Sequence, residues 1–438
     1  MTRFVKRSRV ASLSLDRAGI SSDTLELLMI GASPAFGAAA RRTALAAYEA
    51  LPFPTASYGR YWKHDLHKID LTHVVTGAAP AVGFSAPEIY AVDERSAQIA
   101  FVDGSASIEC SDALRARGVI VTDLATARRD HAALLDASLG TTVNTADDKY
   151  AALALAFQDV GVFVHVPAGV AVDRPIVIRY AAVANDAFPY TVISVGENAR
   201  VTVIEQLVTG DAPRFICGIA EIVAGARAQV DYAMVQSANI QSKTIVARGA
   251  TIGSDAVVRI GLAELGSALT VDTLKALEHA TGGHTEVAGL FFATGVQHVD
   301  LSTQIDHAVG STTSNTIIKS AASDSGQARY LGNIRIRKSA HGSDSSLRDD
   351  VLLLSEKAHV DSIPALEIAA NDVKAFHGAT VGAIDADQLF YLMSRGIPRV
   401  EAERLIALGF FEPAIAKFPT ETLRTHLRKA LEAKVIAQ

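Results

Sequence analysis

Cysteine is nearly absent from this chain of 438 residues: only Cys110 and Cys217 occur. They form no C-x-x-C pair, so the chain alone builds neither a thiolate zinc site nor a disulfide framework. Excess positive charge is missing too, with 41 Lys and Arg against 47 Asp and Glu and a net charge of −6. That excludes the basic face of a nucleic-acid binder. No run approaches the roughly 18 apolar residues of a membrane helix; the longest apolar stretch is Tyr150 to Phe157. Low cysteine and no signal peptide predict a reducing, cytoplasmic setting with no membrane partner. The P-loop G-x-x-x-x-G-K-[ST] is absent, so nucleotide hydrolysis by that route is not expected. Also absent are H-E-x-x-H, G-x-S-x-G and a G-x-G-x-x-G joining a strand to a helix.

What is present changes character along the chain. The first residues, Met1 to Leu15, carry Arg3, Lys6, Arg7 and Arg9 without an acid. They faintly resemble a transit peptide, and a frayed basic tail is the plainer reading. Ser21-Ser-Asp23 before Leu25 to Ile30 predicts a capped helix. Ala35 to Ala50 predicts a second helix, stopped by Pro52 and Pro54. The only tryptophan, in Tyr61-Trp-Lys-His-Asp-Leu66, reads as a packing anchor. Ser107–Glu109 reads as extended; Asp112–Arg117, Asp123–Ala137 and Asp147–Phe157 read as helices.

From Val162 to about Val381 the chain is rich in Val, Ile and Thr in short runs broken by Gly, Asn, Asp and Ser, a strand composition. A unit recurs within it: Gly196-Glu-Asn-Ala-Arg-Val201, Gly225-Ala-Arg-Ala-Gln-Val230, Gly253-Ser-Asp-Ala-Val-Val258 and Gly282-Gly-His-Thr-Glu-Val287. Ser355-Glu-Lys-Ala-His-Val360 is a further copy and Ser325-Gly-Gln-Ala-Arg-Tyr330 a looser one. A period of this length marks a solenoid, each unit turning at glycine and then laying down a strand. A β-helix with small residues inside is therefore expected over a β-sandwich, whose strands come every 8–12 residues without a longer period. The flanking helices are expected to cap its end rungs, which are otherwise open edges.

After Val381 the period becomes helical. Asp385-Ala-Asp-Gln388 is a capping box, Leu389, Phe390, Leu392 and Met393 form an apolar face, and Gly396 suits a left-handed C-cap. Pro398 opens a second helix, expected to reach Gly409, and Pro419-Thr420 a third, with Leu423, Leu427, Leu431 and Val435 on one face. These helices either pack on the solenoid or dock a partner in a groove. The expected divisions are an N-terminal helical and mixed region, 1–160, a β-helix core, 161–381, and a C-terminal helical domain, 382–438.

Candidate ligands are few. His279 and His284 lie near Glu278 and Glu286, and His298 near Asp300, Asp306 and His307; exposed polar turns and solvated edges explain both sets as well as a metal does. His377, near the end of the strand region, is a potential iron or zinc ligand or a hydrogen-bonded structural histidine.

Several long segments carry a resemblance to a known family. Leu153-Ala-Leu-Ala-Phe-Gln-Asp-Val-Gly-Val-Phe-Val-His-Val-Pro-Ala-Gly-Val170, Arg174-Pro-Ile176, Ala365-Leu-Glu-Ile-Ala-Ala-Asn-Asp-Val-Lys374 and Phe376-His-Gly-Ala-Thr-Val-Gly382 resemble the SufD branch of the SufB/SufD family of iron–sulfur cluster assembly. So do Leu389-Phe-Tyr-Leu-Met-Ser-Arg-Gly-Ile397 and Gly409-Phe-Phe411, and more loosely the tryptophan segment. The resemblance covers at least Asp148 to Ala430. It implies a right-handed parallel β-helix and a non-catalytic scaffold. The implied partners are a SufB-like paralogue, through the β-helix, and a SufC-like ABC ATPase, on the C-terminal helices; alone, the chain would form a homodimer. It further implies that a nascent cluster forms transiently at the paralogue interface, on a cysteine from SufB and a histidine matching His377. Leu389, Phe390, Arg395, Gly396 and Phe410 are then the implied docking residues. The stretch from Ser343 to Ser362 lacks the cysteine of SufB chains, and Phe376-His-Gly-Ala-Thr replaces their acidic motif. Ala375 stands where SufD chains often carry cysteine, so His377 has no thiolate two residues before it.

Two other readings compete. A β-helix enzyme acting on polysaccharide would need paired carboxylates, for which Asp344, Asp349, Asp350 and Asp361 are the candidates. A purely structural solenoid would contact neither iron nor an ATPase.

Overall fold

The computed structural model describes residues 20–29, 36–52 and 88–436; the basic tail and the tryptophan segment lie outside them. The strands stack as a parallel β-solenoid of about eight turns. Each turn contributes one strand to a ten-stranded sheet and one to a nine-stranded sheet. Neighbours within a sheet come from successive turns: Arg200 lies beside Gln229, Gln229 beside Val257, Val257 beside His284. This parallel pairing separates the fold from a β-sandwich, which is antiparallel. The strand Ala97–Val102 joins the ten-stranded sheet in parallel with Ile176–Ala182, so the sheet begins upstream of the first repeated unit.

The repeat has a physical cause. In its first three copies the third residue, Asn198, Arg227 or Asp255, takes a left-handed conformation. The glycine two residues earlier has a different reason to be glycine. A Cβ on Gly225 would stand 3.0 Å from the backbone of Glu197, and one on Gly253 2.8 Å from Ala224 and Gly225. Turns of adjacent rungs stack there backbone on backbone, leaving no room for a side chain. The following Ala199, Ala228 and Ala256 and then Val201, Val230 and Val258 enter the coil and are fully buried. The fourth copy stacks out of step, with Thr285, not Val287, beside Val258. The copies at Ser325 and Ser355 precede strands of the other sheet, Gln327–Ile336 and His359–Ile368. The unit is thus a corner that serves either side of the coil. Its small residues sit at the corners, while Val, Ile, Leu, Tyr and Phe fill the interior.

The expected capping holds at the start of the solenoid, where the short helix Asp112–Ala116 joins the terminal strands of the two sheets and buries Leu114 in the coil interior; the longer helices instead cover the flanks. Both faces of these sheets are apolar, one toward the coil and one outward, and the outer faces must be buried as well. On the nine-stranded sheet, Tyr190, Phe215, Cys217 and Ile245 pack against the helices Ala38–Ala50 and Lys149–Phe157. The second of these is buried on every side, which explains its unbroken apolar sequence. Asp148 caps it, accepting from the amides of Tyr150 and Ala151. On the ten-stranded sheet, Leu290, Phe292 and Leu352 pack against Phe411, Ile415, Leu423, Leu427 and Leu431 of the helices Arg399–Ile415 and Glu421–Ile436. The former passes Gly409 and contains Pro413, because Phe411, Ala414 and Ile415 are buried beyond the glycine. The segment 123–137 is two short helices, Leu124–Asp130 and Ala132–Asp136, broken at His131 and preceded by a strand, Ile120–Asp123.

One carboxylate pins the N-terminal layer to the sheet. Glu221, on the outer face and fully buried, accepts from the amides of Thr142 and Val143 at 2.8 and 3.0 Å, from the Thr142 hydroxyl at 3.0 Å, from the Tyr190 hydroxyl at 2.9 Å and from the Gly140 amide. Glu221→Ala would take the acceptor from three backbone donors, of which the Val143 amide is buried. We expect it to lose about 3 kcal/mol or more, read by urea unfolding. Amide exchange should accelerate first in residues 140–143; uniform acceleration would contradict this local role.

Candidate functional site at the open end of the solenoid

The two ends of the solenoid differ. At the start, each sheet finishes in a short antiparallel strand, Ser105–Cys110 on Ala97–Val102 and Ile120–Asp123 on Val160–Val166. At the other end, the strands Lys374–Ala383 and His359–Ile368 are the last of their sheets, and nothing pairs with their outer edges among the described residues. Ten-residue parallel edges left free are a template for another chain.

His377 sits in this last rung. It lies beside Leu347, which is buried in the coil interior, so the alternation of the strand turns His377 inward at the mouth of the coil. Its Nδ1 is buried and without a hydrogen-bond partner. A neutral imidazole with a free ring nitrogen is a competent ligand for iron or zinc. Ala375, two residues before, packs on the interior core; a smaller-than-thiol methyl occupies that inward position. Phe376 points the other way and is 64% exposed.

Beneath the mouth lie two adjacent aspartates that face opposite ways. Asp349 is fully buried and accepts from the Ser362 hydroxyl, on the last strand of the other sheet. Burial pushes its carboxyl up to about 7. Asp350 faces outward and accepts from the Thr380 hydroxyl at 2.7 Å, on the strand that carries His377. Burial opposes its charge, but hydrogen bonds from Lys319, Thr380 and Arg348 outweigh burial and hold its pKa below the ordinary value. Asp361 is bonded to His359. With Asp349 and Asp350 on opposite faces of one sheet, no paired carboxylates of a glycosidase arise.

The remaining candidates are dispersed. Asp300 is held by Arg329 at 2.7 Å, and Asp306 by Arg337 at 2.7 Å. His307 turns into the coil, where Thr312 and Ser314 satisfy both ring nitrogens, and burial lowers its pKa to about 4. His284 bonds Thr313, while Glu278 is buried and bonded by Thr285, with burial raising its pKa to about 7. Among the described residues no cluster of three or more His, Cys, Asp or Glu is placed to hold a metal ion. No described helix is long and apolar enough to cross a membrane.

Next to the open rung stands the helix Ala386–Ser394, none of whose residues is buried. Asp385 caps it, accepting from the amides of Asp387 and Gln388. Gly396, at φ +88°, closes it in a Schellman turn, with the Ile397 amide donating to Leu392. Phe390 is 72% exposed, and Tyr391, Met393 and Val400 are exposed with it. Leu389 is half-buried, and the Arg395 guanidinium lies 5.2 Å from the Tyr391 ring centroid. Phe410 is apart from this group, half-buried against Phe411 and beneath the Lys319 ammonium. Large exposed apolar side chains are thus concentrated in residues 390–400.

Sequence reading named Asp349 and Asp350 only as candidate glycosidase carboxylates and missed their partners Ser362, Lys319 and Thr380. The available signal was the alternation Ser345, Leu347, Asp349, Val351, which places Asp349 inward once Leu347 and Val351 are known to be core.

The chain matches the family described as "SUF system FeS cluster assembly, SufBD core domain" over residues 178–410, and the "SufBD protein N-terminal region" over residues 25–178. It is 33% identical over 339 residues to the iron-sulfur cluster assembly protein SufD of Bacillus subtilis, covering 75% of this chain and 77% of that protein. It is 27% identical over 315 residues to SufB of the same organism, covering 70% and 67%, and 28% identical over 312 residues to a SufBD family protein of Staphylococcus saprophyticus, covering 70% and 67%. The chain therefore belongs to the SufBD family of iron–sulfur cluster assembly proteins, as a homologue of SufD.

Proposed function

We propose that this chain is a scaffold subunit, without turnover of its own, in a complex with a SufB-like paralogue and a SufC-like ABC ATPase. The open end of the solenoid carries this reading: two unpaired strands frame an inward histidine with a free, buried ring nitrogen. The paralogue's own solenoid would continue the two sheets across that end. A nascent cluster, the cargo of the complex, would be held there by His377 and a thiolate from the paralogue. The complex works in the cytoplasm, and the chain alone would satisfy its open edges as a homodimer.

The exposed helix Ala386–Ser394 and the turn at Gly396 would receive the ATPase, which supplies the nucleotide chemistry for which this chain has no P-loop. Phe390 is the expected anchor. Phe390→Asp should weaken ATPase binding by about 2 kcal/mol or more, roughly thirtyfold in Kd, with unchanged melting because the side chain is exposed in the free chain. Intact binding by this variant would remove the docking assignment.

The complex itself is tested by co-expressing the tagged chain with both partners, followed by size exclusion under reducing conditions. One peak holding all three chains is expected. A lone chain or a homodimer that ignores both partners would end the scaffold reading.

A further inference from the structure

The outer face of the ten-stranded sheet changes character near its open end. One register column runs Leu290, Lys319, Asp350, Thr380 on four successive strands. Leu290 is fully buried beneath the C-terminal helices. The Lys319 ammonium lies 4.6 Å from the centroid of the Phe410 ring, on the helix Arg399–Ile415. The same ammonium donates to Asp350 Oδ2 at 2.8 Å. Asp350 Oδ1 accepts from Thr380 Oγ1 at 2.7 Å, and Arg348 Nε adds a bond to Oδ2 at 2.9 Å. Lys319 and Asp350 are both buried.

Two residues, Gly378 and Ala379, separate Thr380 from His377 on the last strand. The last strand's outer edge is unpaired, so its position is set by its one neighbouring strand and by side-chain bonds such as Thr380 to Asp350. At its other end the column meets the helix that packs against Ala386–Ser394. Phe410 in turn stacks edge-on with Phe411, which is anchored on Phe292 in the sheet. A shift of this helix therefore moves the Phe410 face on which Lys319 rests. A buried ion pair adjusts in discrete rearrangements, since an unpaired charge there is costly.

We propose that Lys319 and Asp350 are positioning residues that couple the C-terminal helices to the last strand, so that engagement of the nucleotide-hydrolysing partner is felt at His377. This deepens the scaffold reading and rests on it. Both side chains are buried, whereas Phe390 is exposed.

The test uses the complete complex with Asp350→Asn and Lys319→Met. Two quantities are measured: clusters formed per ATP hydrolysed, and amide exchange of residues 374–383 before and after the ATPase is added. We expect partner co-elution and ATP turnover as in the wild type, with clusters per ATP lowered at least about fivefold. ATPase-induced protection of 374–383 should be present in the wild type and lost in both variants. A Lys319→Met, Asp350→Leu double variant, which removes both charges and keeps the site packed, should restore melting but leave the yield per ATP low. An unchanged yield per ATP in the folded variants overturns the coupling; so does a loss of yield that follows melting and returns in the double variant. Failure of the wild-type complex to bind the ATPase or to form clusters would instead overturn the scaffold reading, a separate result.

Discussion

His377→Ala should fold, join both partners and fail to build clusters. His377 sits in the last rung with Nδ1 free of any hydrogen bond, so truncation breaks no side-chain bond at that atom. The cost to stability should stay within about 1 kcal/mol. The cost to function should be far larger: perturbing even outer-shell partners of a metal ligand lowers affinity or activity by about 10- to 100-fold, and removing the ligand should do at least that. The readout is iron and sulfide retained by the complex under reducing conditions, with unfolding measured alongside. His377→Cys supplies another iron ligand at the same inward position and should keep part of the yield. Wild-type cluster formation by His377→Ala would remove the ligand role and leave the open end as a docking surface only.

The largest effect on stability is expected deep in the coil. Arg248 is fully buried and points inward; it donates to Asp272 at 2.7 Å and stands 3.9 Å from Glu205. Burial opposes its charge, and Asp272 with the neighbouring Tyr232, Glu205 and Glu264 outweighs burial, raising its pKa. Glu264 is pushed well above the ordinary carboxylate range, by burial first and by Asp272 second. Glu205 is raised by burial despite Arg248, Thr191 and Tyr232. Arg248→Met removes the one cation among three acids and should cost about 3–5 kcal/mol at pH 8.

The pH dependence gives this prediction its sign. Burial already raises Glu205, and Arg248 opposes that shift; without Arg248 its folded pKa moves further above the unfolded value. Well below the unfolded value of about 4.3, both states hold the proton and the missing cation matters least. As pH rises toward the folded value, the unfolded chain releases a proton that the folded chain retains, and stability is lost. The deficit relative to wild type should therefore grow between pH 5 and pH 8 in urea melts. An equal deficit at both would mean that Arg248 acts through packing alone.

Much of this architecture is legible in the sequence. The recurring glycine, small and apolar residues give a solenoid because stacked corners leave no space for a Cβ at Gly225 or Gly253 and bury Ala228 and Ala256. The helix at Ala386–Ser394 follows from its Asp385 cap and its Gly396 stop, both local and both seen. The place of the helices was not legible. An apolar helix face states that it must be buried, not against what; here the outer faces of the sheets claim the longer helices, and only the short helix Asp112–Ala116 closes an end.

What the sequence determined by itself is local: corners, caps, strand composition and the family of the chain. What only the tertiary structure decided is which side of each strand faces the coil and which strand ends unpaired. Strands apolar on both faces give alternation no preferred phase, so Arg248 and Asp349 inside read the same as Arg329 and Asp350 outside. Closure of the coil fixes that phase, and stacking of rungs separated by about thirty residues leaves His377 at the end where, among the described residues, the sheets stop without a closing antiparallel strand.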